Sequence, residues 1–507
     1  MKVIEDRTPI DELLEEQQRL RTPVADFSSY HDRIATPDLE PVYRDLIPLS
    51  RPGVGEQYAF EVNMDACTGC KACVTGCHSM NGLEEHETWR DVGLIHSRTG
   101  EAYQQTVTSA CHHCVEPACM HGCPVLAYEK DSETGIVMHL DDQCIGCQYC
   151  VLKCPYDVPK YSEFLGIVRK CDMCHGRLAE SEAPACVQAC PTSAISITIV
   201  DTAGIRQKAV LGEFLPGTPN PEYTIPSTCF VSDKEIPSNA VAADMDDVAP
   251  EHAHLPLVFM LVFTQMALGC FLISLIESNP FVVIGGVVSL FVGIGASVLH
   301  LGKPLGAWRS FLGLRRSWLS REIVAFGLLL PLAALYLAFP TSSIVAWASV
   351  TLCGLGVVSS VMLYADTRRP YWSLKWSGIR FFGTSLVLGC SCWALSTASV
   401  ERSLTLLAGF SLFKLSLEFI QFKSVRYAKS SKLVRGPLWG KVRTRFLFGA
   451  LGGVILPLAV LFSGVESGSH YSLVFLSWFL VLAGELLERI LYFQAVIAPK
   501  MPGGGVR

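Results

Sequence analysis

Residues 144–155 read CIGCQYCVLKCP. Three cysteines, separated by two residues each, are followed by a fourth that precedes a proline. This spacing is typical of the ligands of a [4Fe–4S] cluster. The pattern recurs along the chain, because sixteen of its 21 cysteines fall into four groups: Cys67, Cys70, Cys73 and Cys77; Cys111, Cys114, Cys119 and Cys123; Cys144, Cys147, Cys150 and Cys154; and Cys171, Cys174, Cys186 and Cys190.

The repeated spacing indicates an electron-transfer domain. Three thiolates in a tight loop can hold three corners of a cubane, while a distant Cys-Pro supplies the fourth, so the groups work in pairs. Four groups therefore predict four clusters. Zinc ribbons also use C-x2-C pairs, but they do not repeat a three-plus-one pattern ending in Cys-Pro. A disulfide framework needs an oxidising compartment, and the first residues, MKVIEDRTPIDELLEEQQ, lack the apolar core of a signal peptide.

The composition divides the chain into two halves. Residues 1–254 contain 39 acidic and 19 basic residues, whereas residues 255–507 contain 8 acidic and 22 basic residues. Long apolar runs occur only in the second half, at roughly 255–276, 281–301, 322–340, 343–365, 381–398, 403–420, 446–463 and 471–493. Each is close to the ~20 residues that a helix needs to cross a bilayer. One such run could be a buried helix of a soluble protein, but eight in succession predict a membrane domain.

Basic loops alternate with loops that carry almost no basic residue. The loops after the second, fourth and sixth runs and the C-terminal tail together contain 19 Lys and Arg, whereas the other loops contain one, Arg402. By the positive-inside rule the basic set faces the cytoplasm, and an even number of spans places the N-terminal domain there too. The chain shows no twin-arginine signal that would export a folded domain. The basic loops could instead complement the acidic domain, which predicts their contact but not the sidedness.

Strand-like stretches at 58–62, 135–139 and 194–199 flank the cysteine groups. We therefore predict an α+β ferredoxin-like four-cluster domain, followed by an all-α bundle of about eight transmembrane helices. The predicted divisions are an N-terminal extension (1–54), the cluster domain (55–204), a connector (205–254), the membrane domain (255–495) and a tail (496–507). The connector lacks periodicity, so we expect it to lie extended over the cluster domain or to be partly mobile.

The cysteine segments ACTGCKACVTGC, CHHCVEPACMHGCP, CIGCQYCVLKCP and KCDMCHGRLAESEAPACVQACP resemble the iron–sulfur subunit of the dimethyl sulfoxide reductase family over about residues 55–200. The resemblance implies four ligand sets: Cys67, Cys70, Cys73 and Cys190; Cys171, Cys174, Cys186 and Cys77; Cys111, Cys114, Cys119 and Cys154; and Cys144, Cys147, Cys150 and Cys123. Relatives with a Trp in the third group carry a three-iron cluster, so Cys147 implies four irons in every cluster here. One departure is that His78, not proline, follows Cys77.

The second half resembles the membrane anchor subunit of the same family, over about residues 255–495. The resemblance is carried by LHLGKP (299–304), SWLSRE (317–322) and GELLER (484–489). In the family the two subunits are usually separate chains, whereas here they are fused. The His and Glu that match His300 and Glu322 are associated with the menaquinol site. Alternatively, His300 caps a helix end and Glu322 pairs with Arg321 or Lys303.

Other charged residues occur within the apolar runs, where an unpaired charge is expensive. Lys414 and Glu418 are four residues apart, as are Glu485 and Arg489, and we expect structural ion pairs in both cases. Glu488 has no partner at such a spacing, which makes it the better candidate for a proton path.

We interpret the chain as a membrane-bound electron-transfer subunit of the cell inner membrane, with its cluster domain in the cytoplasm. It would oxidise quinol, either menaquinol or ubiquinol, at His300 and Glu322 and pass electrons through four [4Fe–4S] clusters. The family resemblance implies a separate molybdopterin catalytic subunit as the acceptor, such as a cytosolic nitrate reductase, since this chain shows no complete substrate site of its own. Membrane lipid and the quinone pool are the other expected partners, and nucleic acid is not.

Two other interpretations stay open. The direction of electron flow could be reversed, in a dehydrogenase such as one for formate that reduces quinone, because sequence does not set cluster potentials. The chain could also be an iron–sulfur module that mainly tethers a partner to the membrane.

Overall fold

The computed structural model describes residues 43–100, 102–396, 399–424, 427–463 and 470–503. Most of the predicted extension, residues 1–42, lies outside the described part of the chain. The remainder forms a region of small sheets and short helices, followed by a bundle of long helices, as the sequence predicted.

Ten short strands form the sheets of the N-terminal region. They are β1 (Glu56–Asn63), β2 (Asp91–Ser97), β3 (Gln104–Ser109), β4 (Tyr128–Lys130), β5 (Val137–His139), β6 (Lys160–Ser162), β7 (Ile167–Arg169), β8 (Ile195–Asp201), β9 (Cys229–Val231) and β10 (Ala240–Ala242). Two sheets have three strands, in the orders β8-β1-β9 and β10-β2-β3, and the pairs β4-β5 and β6-β7 are hairpins. Each three-stranded sheet thus takes its last strand from the predicted connector.

Six short helices lie between these strands: α1 (Ala72–Asn81), α2 (Ala118–Gly122), α3 (Tyr149–Lys153), α4 (His175–Ala179), α5 (Ala185–Gln188) and α6 (Thr202–Val210). Asp201 caps α6, since its carboxylate accepts hydrogen bonds from the amides of Ala203 and Gly204. The connector therefore begins as a helix and continues as two edge strands, packed onto the cluster region.

Long helices form the second half. They are α7 (Leu255–Ile276), α8 (Pro280–Val298), α9 (Trp318–Ala338), α10 (Ser343–Ala365), α11 (Leu374–Leu395), α12 (Val400–Lys423), α14 (Trp439–Ala450), α15 (Leu456–Phe462) and α16 (His470–Gln494), with the short α13 (Ala428–Arg435) before α14. A π-helical turn, Leu451–Ile455, joins α14 to α15. Among the described residues, seven helices are long and apolar enough to cross a membrane: α7 to α12 and the continuous segment Trp439–Phe462.

The eighth predicted run is α16. This helix has 25 residues and packs along α7, α11 and α14, so it belongs to the same bundle. Its C-terminal half carries three charged residues, Glu485, Glu488 and Arg489. Helix α7 lies at the centre, against α8, α10 and α11. It approaches α11 most closely at Gly269, where a Cβ atom would overlap the backbone of Ser385, as is common at helix contacts in membranes.

Several helices begin earlier than the apolar runs suggested. Helix α9 starts at Trp318, α11 at Leu374 and α14 at Trp439, each four or more residues before the expected start. The extra turns contain basic residues such as Lys375 and Arg443, which lower the local hydropathy without opposing a helix. The helices therefore extend beyond their apolar segments into the basic connections.

The chain after α16 returns to the cluster region. Met501 is 3% exposed and lies in the same core as Ile95 and several cluster-region cysteines. A side chain at Gly93 would overlap Pro502, so the tail passes directly against β2. Lys500 also pairs with Asp244 of the connector, at 2.6 Å. The two ends of the described chain are thereby held in one unit.

Candidate functional site

Antiparallel strands bring the first and last cysteine groups together. Strand β1 ends just before Cys67, strand β8 begins just after Cys190, and Val62 lies opposite Ile195. The cysteines that consequently line one cavity, called set 1 here, are Cys67, Cys70, Cys73 and Cys190.

The β4-β5 hairpin has the same effect on the second and third groups. Cys123 precedes the hairpin and Cys144 follows it, and the pairing of Tyr128 with His139 holds the two ends side by side. Four cysteines lie close enough there for their charges to interact. They are called set 4: Cys123, Cys144, Cys147 and Cys150.

Helix contacts assemble the other two sets. Gly76 lets α1 pack on α5, because a Cβ atom there would lie 2.7 Å from that of Ala189. The cysteines that meet beside this contact, set 2, are Cys77, Cys171, Cys174 and Cys186. Helix α2 packs on α3, and a second cavity nearby is lined by set 3: Cys111, Cys114, Cys119 and Cys154. The structure thus brings together the four sets that the family resemblance implies.

Left-handed backbone positions curl the cysteine loops. Gly69 and Gly146 occupy matching places in the first and third groups, with φ of 73° and 67°. In the third group the curl turns a main-chain amide toward sulfur, since the amide of Gly146 donates to Cys144 Sγ at 3.4 Å. The amides of Ala127 and Ala194 donate to the Cys-Pro cysteines of sets 4 and 1, at 3.2 and 3.3 Å. Such donors stabilise a thiolate, which is the form that binds metal.

Each set contains four cysteines, the number of ligands that an iron–sulfur cluster takes. In the described ranges, no three His, Cys, Asp or Glu side chains are arranged around one metal ion. Zinc would require the thiolates to converge at about 2.3 Å from a common centre. A cubane instead binds each cysteine through a different iron, so its ligands stay apart. Burial raises the pKa of Cys77 to about 12 and that of Cys123 to about 11, so iron must displace protons when it binds.

Two buried cations lie between the sets. Arg90 is 1% exposed, and its Nε and Nη2 have no hydrogen-bond partner among the described residues. Burial alone would lower its pKa, but cysteines of sets 1 and 2 raise it above the ordinary value. Lys170 has a corresponding place between sets 2 and 3, and neighbouring cysteines raise its pKa against the effect of burial. A buried cation surrounded by thiols requires an anion, and an iron cluster with four thiolates supplies one.

These neighbours define a linear order of the sets. Arg90 lies between sets 1 and 2, Lys170 between sets 2 and 3, and the buried Tyr128 between sets 3 and 4. Cys70 of set 1 is exposed at one end of the series. At the other end, set 4 rests on the membrane half of the chain.

The loop of set 4 docks on the connection between α8 and α9. Gly302 contacts Gly166 so closely that a side chain on Gly302 would overlap the backbone of Gly166. The amide of Lys303 donates to the Ile145 carbonyl at 3.1 Å, and that of Gly313 donates to the Pro124 carbonyl at 3.0 Å. This is one of the basic connections that the sequence pattern assigned to a common side.

The other basic connections contact the cluster region as well. Lys153 pairs with Asp366 after α10 at 2.6 Å, and Lys432 of α13 pairs with Asp246 of the connector at 3.2 Å. With the tail at β2, all four basic segments lie on the face of the bundle that carries the cluster region.

A cavity of about 250 Å³ lies between set 4 and the helices, and both predicted membrane residues line it. His300 hydrogen-bonds the backbone of Cys147, which also lines the cavity. Burial lowers the pKa of His300 to about 4, so its ring is neutral at pH 7. Glu322 is 2% exposed and accepts a hydrogen bond from Ser360.

Arg321, one of the two alternative partners of Glu322, makes other contacts. Arg321 turns away, donating to the carbonyls of Leu314 and Arg315 and stacking on Trp318 at 4.1 Å. Glu322 therefore faces the cavity with Ser360 as its hydrogen-bond donor.

The sequence did not single out two further histidines of this cavity. His252 and His254 lie just before α7 and line the same wall as His300. The sequence did offer a signal for them, because two histidines occur in Glu-His-Ala-His at 251–254, directly before the first apolar run.

A separate network of buried charges joins α11, α12, α14 and α16. The expected Lys414–Glu418 pair is present at 2.8 Å. Glu485 pairs across helices with Lys414 at 2.7 Å and with Arg445 at 2.8 Å. Arg489, its expected partner, donates to Gln265 at 2.8 Å instead. The Glu485–Arg489 expectation was therefore wrong, because neighbouring helices offered closer partners.

Glu488 also acquires a partner from another helix. Arg380 of α11 approaches its carboxylate at 3.2 Å, and Arg489 approaches it at 3.4 Å. The sequence showed no partner because Arg380 lies more than one hundred positions away. This network links the helices and lies apart from the cavity lining.

Comparison with known proteins gives separate matches for the cluster region and for the membrane half. Residues 103–200 match a 4Fe-4S dicluster domain, and residues 250–494 match the DMSO reductase anchor subunit (DmsC). The B subunit of the anaerobic dimethyl sulfoxide reductase of Escherichia coli (strain K12) is 36% identical over 29% of this chain and 75% of its own length. YnfG of the same strain, a probable anaerobic dimethyl sulfoxide reductase subunit, is 33% identical over 34% of this chain and 86% of its own.

A third relative is named for a hydrogenase operon and not for a dimethyl sulfoxide reductase. The hydrogenase-2 operon protein HybA of Escherichia coli O157:H7 is 34% identical over 29% of this chain and 53% of its own length. With the seven apolar helices, these matches make the chain a multi-pass membrane protein with an iron–sulfur domain. It belongs to the dimethyl sulfoxide reductase family, as an electron-transfer iron–sulfur subunit and a membrane anchor subunit fused in one polypeptide.

Proposed function

We propose that this chain oxidises quinol in the cavity beside set 4 and delivers the electrons, through four [4Fe–4S] clusters, to a separate molybdopterin catalytic subunit. The observation that carries the proposal is the composition of that cavity. His300, Glu322 and Cys147 line the same space. Proton acceptors and the first electron acceptor would therefore meet the same bound quinol.

The residues of the cavity suit a quinol in both polarity and chemistry. Its walls are mostly apolar, with Leu257, Ile323 and Phe326 among them, as expected for a ring with a lipid tail. A quinol must lose two protons as it loses two electrons, and a neutral imidazole and a carboxylate can accept protons. His300 also contacts the backbone of Cys147, so a hydroxyl bound to its ring would lie next to set 4.

Each set supplies four cysteines, which is the number of ligands that a [4Fe–4S] cluster takes. Such a cluster, when bound, accepts and passes on one electron at a time. The linear order of the sets supports entry at set 4 and exit at set 1. Around set 1 the exposed residues are Thr68, Cys70 and Lys71 on one loop and Pro191 to Ser193 on the other. We place the docking site of the catalytic subunit on this surface.

The orientation follows from charge. The four basic segments lie on the face that carries the cluster domain, and basic segments remain on the cytoplasmic side. We therefore place the chain in the cell inner membrane with sets 1 to 4 in the cytoplasm. The catalytic subunit would then be cytosolic and would determine the terminal acceptor. The relatives' names suggest dimethyl sulfoxide, and nitrate is the other candidate.

Quinol-driven reduction of the clusters tests this function. The purified protein is mixed with a soluble menaquinol analogue, and the loss of iron–sulfur absorbance is followed by stopped flow. We expect His300→Phe and Glu322→Gln each to slow this reduction, by roughly 10²-fold or more if they accept protons, and to leave reduction by dithionite unchanged. Glu401→Gln is the control, since Glu401 is exposed and lies in the first turn of α12. Wild-type rates in both cavity variants would contradict the assignment.

Composition and topology need separate measurements. Iron and acid-labile sulfide analysis should give four of each for every cysteine set. Mild purification from the native host should bring along a molybdenum-containing protein. Protease added to intact spheroplasts should leave the cluster domain uncut. A partner with an export signal, or loss of the domain to external protease, would reverse the proposed orientation.

A further inference from the structure

We propose that His254 and His252 form a proton-exit relay from the quinol cavity to the water on the cluster-domain side. This inference rests on the proposed function, because quinol oxidation is the reaction that would release protons there. It assigns a role to the short segment that joins the connector to α7.

Three imidazole rings follow one another from the cavity to the surface. The centroids of His300 and His254 are 5.4 Å apart with the rings at 87°, and those of His254 and His252 are 4.9 Å apart at 76°. Exposure rises along the row: His300 and His254 are partly buried and His252 is exposed. A proton that reaches His254 thus has a second imidazole beside it and water beyond that.

The backbone fixes this row. His254 has φ of 45° and caps the start of α7, where its carbonyl accepts hydrogen bonds from Leu257 at 2.8 Å and Val258 at 3.1 Å. A non-glycine residue keeps this left-handed conformation only where its surroundings hold it. The amide of Glu251 donates to Gln494 at the end of α16, at 3.3 Å. The backbone of the segment is therefore anchored on both sides, at the start of α7 and at the end of α16.

The row ends beside a second, wider cavity. This space of about 800 Å³ lies between the cluster region, the connector and the membrane loops. Glu251 and Arg369 line both cavities, so they form the wall between the quinol cavity and this open space. Glu322 is a further charged group that lines the cavity with the histidines. Asp244 and Asp247 line the wider cavity and can receive protons that leave the relay.

The chemistry balances without an additional reactant. Each quinol that becomes quinone loses two electrons, which enter the clusters, and two protons. His254 takes a proton on one ring nitrogen and releases one from the other to His252, which passes it to water. An imidazole suits this task because its usual pKa of about 6.5 lies close to ambient pH. Neither histidine is changed after a turnover.

The test compares variants of the complete protein by quinol-driven cluster reduction. We expect His254→Ala to reduce the rate by about tenfold to a hundredfold, which is no more than the smallest effect typical of a positioned acid–base group. Imidazole added to the solution should restore part of the rate. His252→Ala should have a smaller effect, since water already reaches that position. His86→Ala is the control, because His86 is exposed and lies in the cluster domain, apart from the cavity lining.

His254→Phe separates proton transfer from packing. It keeps an aromatic ring against His300 and Phe493, whose centroid is 6.0 Å away, but it cannot carry a proton. The relay predicts a slow His254→Phe with unchanged reduction by dithionite. A wild-type rate in this variant, or a slow His254→Ala that imidazole does not restore, would overturn the relay while quinol oxidation stands. Clusters of the wild-type protein that quinol fails to reduce would overturn the proposed function, and the relay with it.

Discussion

Removal of the buried Arg90 charge should lower the reduction potentials of the two clusters beside it. Arg90 Nη1 and Cys73 Sγ both contact Thr108 Oγ1, at 3.3 Å and 3.6 Å, so the two atoms are no farther apart than 6.9 Å. At that separation, with an effective dielectric constant of about 20, a unit charge contributes about 2.4 kcal/mol. Since about 2.3 kcal/mol corresponds to 100 mV for one charge, Arg90→Gln should lower the potential of the set 1 cluster by about 100 mV.

The sign follows from the charge of the added electron. Reduction makes a cluster more negative, and a nearby cation stabilises the reduced form more than the oxidised form. Set 2 should shift by a similar amount, because its cysteines also act on Arg90. Sets 3 and 4 lie beyond Lys170 and should shift far less.

A redox titration followed by EPR measures the four potentials in one sample. Arg90→Lys preserves the charge and should retain most of the wild-type potentials, which separates charge from loss of packing. Arg98→Gln is a matched control, because Arg98 is an exposed arginine just after β2 that pairs with Asp246, and solvent screens its charge. A uniform shift of all four clusters in Arg90→Gln, or none at sets 1 and 2, would refute the reasoning.

Three further changes test the packing. Glu485→Gln leaves buried cations without their carboxylate and should destabilise the protein by about 3–5 kcal/mol; Glu401→Gln should not, and thermal unfolding in detergent compares the two. Gly302→Leu should displace the set 4 loop and slow reduction by quinol, with reduction by dithionite unchanged. Gly295→Leu is the control, since a Cβ atom at Gly295 would meet open space, and it should leave both rates unchanged. Met501→Ala should destabilise the cluster domain by about 2–5 kcal/mol, seen as earlier loss of iron–sulfur absorbance on heating, and an unchanged profile would contradict the core position of the tail.

The cysteine sets could largely be predicted because most ligands of a set lie close together in the sequence. Three ligands of each set lie within one short segment, and in sets 1, 3 and 4 the fourth ligand is marked by the proline that follows it. The pairing of distant groups required the family resemblance, since spacing alone does not say which loop faces which. The strand register that accounts for it, such as Val62 opposite Ile195, depends on the complete sheet.

The membrane half was predictable only along each helix. Apolar runs located the helices, but the starts of α9, α11 and α14 were missed because basic residues extend these helices beyond the apolar segment. Contacts between helices were out of reach. Glu485 and Arg489 have the spacing of an in-helix pair, yet each found a better partner on another helix. The rotation of packed helices decides such choices, and sequence periodicity does not encode it.

The sequence also did not predict how the connector and the tail pack on the cluster region. The composition of the connector suggested an extended or partly mobile chain, whereas its strands β9 and β10 complete two sheets. For the tail the sequence predicted only its bounds, and in the structure it enters the cluster-domain core. Edge strands of three residues carry too short a pattern to be recognised. Their pairing is determined by the strands already present, β1 and β2, which offer free edges.

The buried position of Met501 has a consequence for biogenesis. The cluster domain emerges first from the ribosome, yet its core includes a residue that is synthesised after every membrane helix. Its hydrophobic interior is therefore completed only once the bundle has been inserted and the chain has returned to β2. Iron–sulfur clusters installed before that moment would occupy an unfinished domain, so membrane insertion sets the earliest time at which the electron path can close. Pulse-labelled chains arrested before Met501 should accordingly be more sensitive to protease in the cluster domain than released chains are.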